Sequence, residues 1–271
     1  MSQVIGPVFD ITPPTGTPVP IVVSVPHCGT SVPPEIAGRL VETKLPDTDW
    51  FVDELYDFAP RLGITVIRAR YSRYVIDLNR DPGGVKLYAD GRQETELVPT
   101  RSFAGLALYR GSTPKDADIA ERRKLYYEPY HAEVAAQLAA LSAKGFKHVL
   151  LWEAHSILRH VPTIRKEPFP DLMLGDRKGE TADASLSRAA LDALRKGGRW
   201  TVAHNDPFMG GYLTRKFGRP STGTHAIQLE MSQDVYMDAA NAQRAPAKMK
   251  PVQTLLEGTL ATVASALARL S

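Results

Sequence analysis

Val149-Leu150-Leu151-Trp152-Glu153-Ala154-His155-Ser156 is the stretch on which the fold turns. Four consecutive apolar residues, three of them aliphatic, have the pattern of a central, buried strand. An acid and a histidine follow directly. The arrangement recurs along the chain. Ile21 to Val25 is a β-branched run ended by Pro26, and the next residue is His27. Ile64 to Ile67 reads as a second strand, and Tyr74 to Leu78 as a third that ends in Asn79 and Arg80. Thr201 to Ala203 leads to His204, and Ala226 to Met231 carries Glu230 inside an apolar run.

Between these runs the spacing is helical. Phe51, Leu55, Phe58 and Leu62 repeat at four, three and four, with Asp47 or Thr48 as N-cap and Gly63 as stop, which predicts a helix of about four turns. A second helix is expected from about Asp118 to Lys144, kinked at Pro129, and a third near 183–196. The last begins after Pro251 and packs Val252, Leu255, Leu256, Leu260, Val263 and Leu267. Residues 81–117 and 157–182 read as turn-rich excursions, and 205–222 as a Gly-rich loop. Strands alternating with helices give an α/β class: a three-layer mixed sheet flanked by helices.

Composition narrows the function. The 271 residues carry 33 Lys plus Arg against 30 Asp plus Glu, a net charge of +3 that supports no nucleic-acid or polybasic membrane partner. A single cysteine forms no internal disulfide, so a reducing cytoplasm is expected. No run approaches the roughly 18 apolar residues of a spanning helix, and MSQVIGPVFDITPP lacks the layout of a signal peptide. A small-molecule substrate is the expected partner. The oligomeric state is left open.

The chain has no GxGxxG, GxxxxGK[ST], GxSxG or HExxH, which removes the usual support for dinucleotide, phosphate-loop, serine-hydrolase and common zinc chemistry. What remains is polar residues stationed after strands, where an open α/β sheet assembles a site. Two histidines and a carboxylate on such loops suffice to hold Zn²⁺ with a fourth position left for water. A carboxylate free of the metal must then handle the proton, and Glu230 is the candidate, since an ionised Glu among apolar neighbours is costly unless paired or at work. Tyr212, in the 205–222 loop, could bring a phenol to the leaving group. Cys28 beside His27 is discounted as a nucleophile because neighbours on an extended chain point apart. His131 reads as a satisfied core histidine, and His148, His160, His204 and His225 as structural or surface residues.

Seven segments together resemble the N-formylglutamate amidohydrolase (deformylase) family: VSVPHCGTSVPPE from Val23, DTDWFVDELYDFA from Asp47, YSRYVIDLNRD from Tyr71, PYH from Pro129, PDLMLGDRKGE from Pro170, NDPFMGGYLTRKFG from Asn205 and HAIQLEMSQDVYMD from His225. They run in family order across residues 22–238, and the segment from Asp47 most resembles the deformylases of histidine degradation. The family is in turn similar to zinc carboxypeptidases. The resemblance implies a single amidohydrolase domain over 1–271 that hydrolyses N-formyl-L-glutamate to formate and glutamate with one Zn²⁺. Another N-acyl amino acid or small peptide as substrate, or a pocket that binds without turnover, are the alternatives.

Against the carboxypeptidase pattern, His27 and His155-Ser156 match the two metal-binding histidines, Glu230 the base, and Asn79-Arg80 the pair that grips a substrate carboxylate, with Arg73 helping. The pattern's HxxE is broken, because Thr30 stands where the ligand Glu belongs. Asp49 is the expected replacement and Asp53 the second choice. The expected set is therefore His27, Asp49 and His155 on the metal, Glu230 and Tyr212 in catalysis, and Arg73, Asn79 and Arg80 on the substrate.

Overall fold

The computed structural model describes residues 6–41, 44–88, 91–92 and 94–270. In chain order its elements are β1 (Phe9–Thr12), β2 (Ile21–Val25), α1 (Pro34–Ala37), α2 (Val52–Leu55), β3 (Thr65–Ala69), α3 (Asp116–Arg122), α4 (Glu128–Ala143), β4 (Val149–Ile157), β5 (Leu172–Gly175), α5 (Ala184–Arg195), β6 (Val202–His204), α6 (Tyr212–Phe217), β7 (Thr224–Ser232), the small pair β8 (Met237–Asp238) and β9 (Gln243–Arg244), and α7 (Pro246–Leu267). Seven strands form one sheet in the order β1-β3-β2-β4-β7-β5-β6. β3, β2, β4 and β7 run parallel, while β1 pairs antiparallel with β3 and β5 antiparallel with β7, and β6 runs parallel to β5, so the sheet is mixed as expected.

Residues alternate between the two faces of each strand, and the alternation sorts the core. Trp152, Ala154, Ile227 and Leu229 point to the face covered by α5 and α7. Leu151 and Ala226 point to the other, where α4 packs with Val134, Leu138 and Leu141. Further along that second face the residues turn polar: Glu153 and His155 on β4 stand opposite Gln228 and Glu230 on β7 in the parallel register. A fully buried sheet face with four polar side chains is costly unless they satisfy one another. This is the place where the fold admits a site.

Several expected elements change. The four-turn helix over 47–62 is only α2 and a 3-10 turn at Ala59–Leu62, because Phe51 is left-handed at φ 61° and Pro60 cannot donate to the ladder. Asp47, expected as a cap, instead accepts from the Tyr74 hydroxyl and the Phe103 amide. Tyr74 to Leu78 is a buried turn, not a strand: Val75 N–H bonds back to Ser72 at 2.8 Å, and the apolar run packs without a ladder. The kink expected at Pro129 is a π-turn at Arg123–Tyr127, which absorbs the missing donor. The 157–182 excursion contains β5, the 205–222 loop contains α6, and α7 starts at Pro246 with Pro251 inside its second turn. Residues 81–115 form neither helix nor strand among the described residues, apart from isolated bridges. No helix among the described residues is long and apolar enough to cross a membrane.

Candidate metal centre and active site

The ends of β2 and β4 and the loop before α2 bring His27, Asp49 and His155 together, all buried, with one ligand atom of each within 4.8 Å of the others. Asp49 Oδ2 lies 3.7 Å from His27 Nδ1 and 3.3 Å from His155 Nδ1. Both rings thus face the carboxylate with the same nitrogen. The other nitrogen of each is backed by a second, fully buried carboxylate: His27 Nε2 donates to Asp77 at 2.7 Å, and His155 Nε2 lies 3.3 Å from Glu153. Carboxylates behind histidine ligands fix the tautomer and raise the basicity of the coordinating nitrogen. Asp53, the second choice as ligand, stands half-buried on α2 outside this trio.

The backing acids are themselves held. Asp77 takes Arg73 at 2.6 Å and the Asn79 amide at 2.9 Å, and Glu153 takes the Thr214 hydroxyl at 2.8 Å. Burial alone would push the Asp77 carboxyl up, but Arg73, His27 and Arg80 hold it well below the usual range. The Asp49 loop is clamped from the C-terminal half, where Gln233 donates to the Thr48 carbonyl at 2.9 Å and Tyr236 to that of Trp50 at 2.8 Å. Burial opposes a charge on His155, yet hydrogen bonds to Asp49 and Glu153 outweigh it and raise the ring to about 10. The trio therefore already favours positive charge at its centre. Two imidazoles, one carboxylate, supporting acids and a neighbouring cleft fit a divalent ion with an open coordination position.

Glu230 stands directly opposite His155 across the β4–β7 ladder and accepts from Gln228 at 3.1 Å. Burial raises its carboxyl to about 8, with Asp49 adding to the rise and His155, Arg73 and Arg80 opposing it. A carboxyl poised near neutrality next to a trio able to hold a metal is suited to accepting and returning a proton. Both lie in a cleft of about 600 Å³, open solvent at its mouth included, which Arg73, Asn79 and Arg80 also line.

Asn79 touches His155 Nε2 at 3.1 Å and accepts the Leu213 amide at 2.8 Å. It is pressed by Gly211, where any Cβ would meet the Asn79 side chain within 2.5 Å. Arg73 is spent largely on Asp77 and stacks over Phe103 at 4.5 Å, while Arg80 donates to the Thr95 carbonyl at 3.0 Å and hydroxyl at 3.1 Å.

Tyr212 is not brought into the cleft. Gly211 meets the cleft with its backbone, and the next side chain, rotated about 100° by the start of α6, turns to His131 at 5.9 Å between ring centres. The phenol in the cleft is Tyr88, from the 81–117 excursion. His131 is the satisfied core residue expected: it donates to the Leu78 carbonyl at 2.9 Å and faces Lys216 at 3.2 Å, with burial first and then Lys216 lowering it to about 3. Cys28 sits against the carbonyls of Val25 and Ala69, its thiol pushed up by burial. Sequence reasoning missed Asp77, Glu153, Tyr88, Arg92 and Gln228. Asp77 and Glu153 each stand two residues before a chosen site residue, which is the one signal that could have found them.

Residues 19–237 match the family model for N-formylglutamate amidohydrolase. The chain is 41% identical over 256 residues to an N-formylglutamate deformylase of Pseudomonas aeruginosa, covering 90% of this chain and 93% of that one. It is 38% identical over 226 residues to the deformylase of Pseudomonas putida, covering 81% and 82%. Among solved structures it is similar to an N-formylglutamate amidohydrolase from Ralstonia eutropha JMP134, with a TM-score of 0.80, 28% identity, and 95% and 96% of the two chains covered. A gene product of Agrobacterium tumefaciens shares the fold at a TM-score of 0.71 and 18% identity, over 95% of this chain and 96% of that one. Sequence and architecture agree over nearly the whole length, and the chain belongs to the N-formylglutamate amidohydrolase family.

Proposed function

We propose that this protein hydrolyses N-formyl-L-glutamate to formate and L-glutamate with one divalent metal ion, zinc by the donor set, as a single amidohydrolase domain. The observation that carries the reading is the pairing of a His27, Asp49 and His155 trio with Glu230 directly opposite His155 on the sheet. The names of the relatives support the substrate.

When bound, the ion supplies Lewis acidity and lowers the pKa of water to about 7. His27, Asp49 and His155 hold it, and Asp77 and Glu153 keep the two rings aimed. Glu230 takes a proton from the attacking water and returns it to the amide nitrogen as the C–N bond breaks. The water oxygen joins the formyl carbon, so the products are formate and the free amino acid. Arg80, with Arg73 beside it, orients a substrate carboxylate through a forked guanidinium. Asn79 steadies His155 and closes the wall against Gly211.

The test is formate release from N-formyl-L-glutamate by purified protein, before and after chelation and after zinc is added back. Loss and restoration are expected. Activity indifferent to chelation, in protein with no tightly held metal, would remove the metal mechanism. Equal rates on N-acetylglutamate and N-formylaspartate would remove the narrow substrate.

A further inference from the structure

Part of the 81–117 excursion lines the cleft through Leu87, Tyr88, Arg92 and Glu94, a strap that the hydrolytic step does not use. Its own acid closes it: Glu94 accepts the amides of Leu87 and Tyr88, both at 2.9 Å. The strap is fastened to the 205–217 segment, with Arg215 donating to the Leu87 carbonyl and the Met209 amide donating to the Tyr88 hydroxyl at 3.3 Å. From it Arg92 lines the cleft, one arm donating to the Pro207 carbonyl at 2.8 Å and its Cζ lying over the Tyr88 ring, 3.9 Å from the ring centre. Stacking and a backbone acceptor hold the plane of a guanidinium in place.

The cleft must take a substrate with two carboxylates, although Asp49, Glu94 and Glu230 already line it. Arg73 is matched to Asp77 at 2.6 Å. Arg80 lies near the metal trio, 3.9 Å from the Asp77 that backs His27 and next in sequence to Asn79, which touches His155. Arg92 is carried by the strap and the Pro207 loop instead. Thr95 of the same strap holds Arg80, so one segment sets the spacing of both cations.

We propose that Arg92 is a specificity-determining residue that binds the side-chain carboxylate of the substrate, while Arg80 takes the carboxylate beside the scissile amide. The inference rests on the N-formylglutamate reading. Its test compares zinc-loaded wild type, Arg92→Met and Arg92→Lys on N-formyl-L-glutamate and on N-formyl-L-glutamine, which has nearly the same shape without the charge. Removing one partner of a desolvated charge pair is expected to lower kcat/KM for formylglutamate roughly 100-fold, mainly through KM. The same change should alter formylglutamine less than about 3-fold, and the Lys variant should fall between, since it keeps the charge and loses the fork. Equal losses on both substrates, or discrimination kept by both variants, overturn the role of Arg92 alone. A wild-type enzyme that releases no formate from formylglutamate overturns the substrate reading, and the role of Arg92 with it.

Discussion

The two ends of the β4–β7 pair each hold two close histidines, and they have opposite chemistry. At one end the rings of His27 and His155 are 5.0 Å apart, and at the other those of His148 and His225 are 5.3 Å apart. His27 and His155 do not bond each other: each presents Nδ1 to Asp49 and Nε2 to a buried acid. His148 and His225 bond directly, Nδ1 to Nε2 at 3.0 Å, and His225 Nδ1 accepts the Asp183 amide at 3.2 Å. Both nitrogens of His225 are therefore occupied. Burial, then the charge of His148, lowers His225 to about 4, whereas carboxylates raise His155 to about 10. Proximity of imidazoles does not make a metal site. The acids around them, and which nitrogen those acids claim, do.

The largest effect that could break this contrast is metal removal. Chelation, or Asp49→Ala, is expected to take formate release to the detection limit, and His148→Ala to leave the bound metal content unchanged. Metal analysis of the three proteins decides it, since zinc lost with His148 would place the ion at the wrong end of the strands. Next comes Glu230→Gln, which keeps the shape and removes the proton acceptor. A fall in kcat of roughly 10²- to 10⁴-fold is expected with the metal retained, and a variant that keeps a tenth of its activity would assign the base elsewhere.

The backing acids sharpen the comparison at a smaller scale. Asp77→Asn and Glu153→Gln should each cost about 10- to 100-fold in metal affinity or activity, read by competition with a metal chelator. If neither moves it, the acids only fill space.

The smallest effect concerns stability at the other end. The folded pKa of His225 is about 4 against an ordinary value of 6.5, so the unfolded chain binds the extra proton as pH falls. That contribution is fully present above about 6.5 and is lost as pH falls towards 4. Between pH 7 and pH 5 the wild type should therefore lose about 2 kcal/mol more than His225→Asn, whose side-chain oxygen can still accept the Asp183 amide. Denaturant titrations at the two pH values measure this, and parallel losses would show that His225 is already charged in the folded state.

Legibility followed the kind of signal each segment carries. β4 and β7 were readable because a strand buried on both faces must be apolar, so His155 and Glu230 stand out where they occur. Tyr74 to Leu78 carries the same apolar signal and is a turn, because burial constrains composition and not backbone shape. The 47–62 spacing is helical, yet Asp49 is drawn to the histidines and Phe51 left-handed, so the regular element shrinks to one turn. Tyr212 and Tyr88 show the limit for the site: both are phenols in irregular segments, and only the packing tells which one enters the cleft.

The amino-acid sequence by itself determined the α/β class, the strands that form the middle of the sheet, and a short set of residues able to hold a metal and move a proton. Those follow from hydrophobic periodicity and from the cost of burying polar groups, both local properties. The tertiary structure alone decided that Asp49 and not Asp53 meets the two histidines, that Asp77 and Glu153 stand behind them, and that Arg92 reaches the cleft from the strap. Such facts depend on which strand ends and loops converge, and convergence is set by the register and packing of the whole sheet, over separations of 106 residues for the bonded Asp49 and His155 and 185 for Thr48 and Gln233.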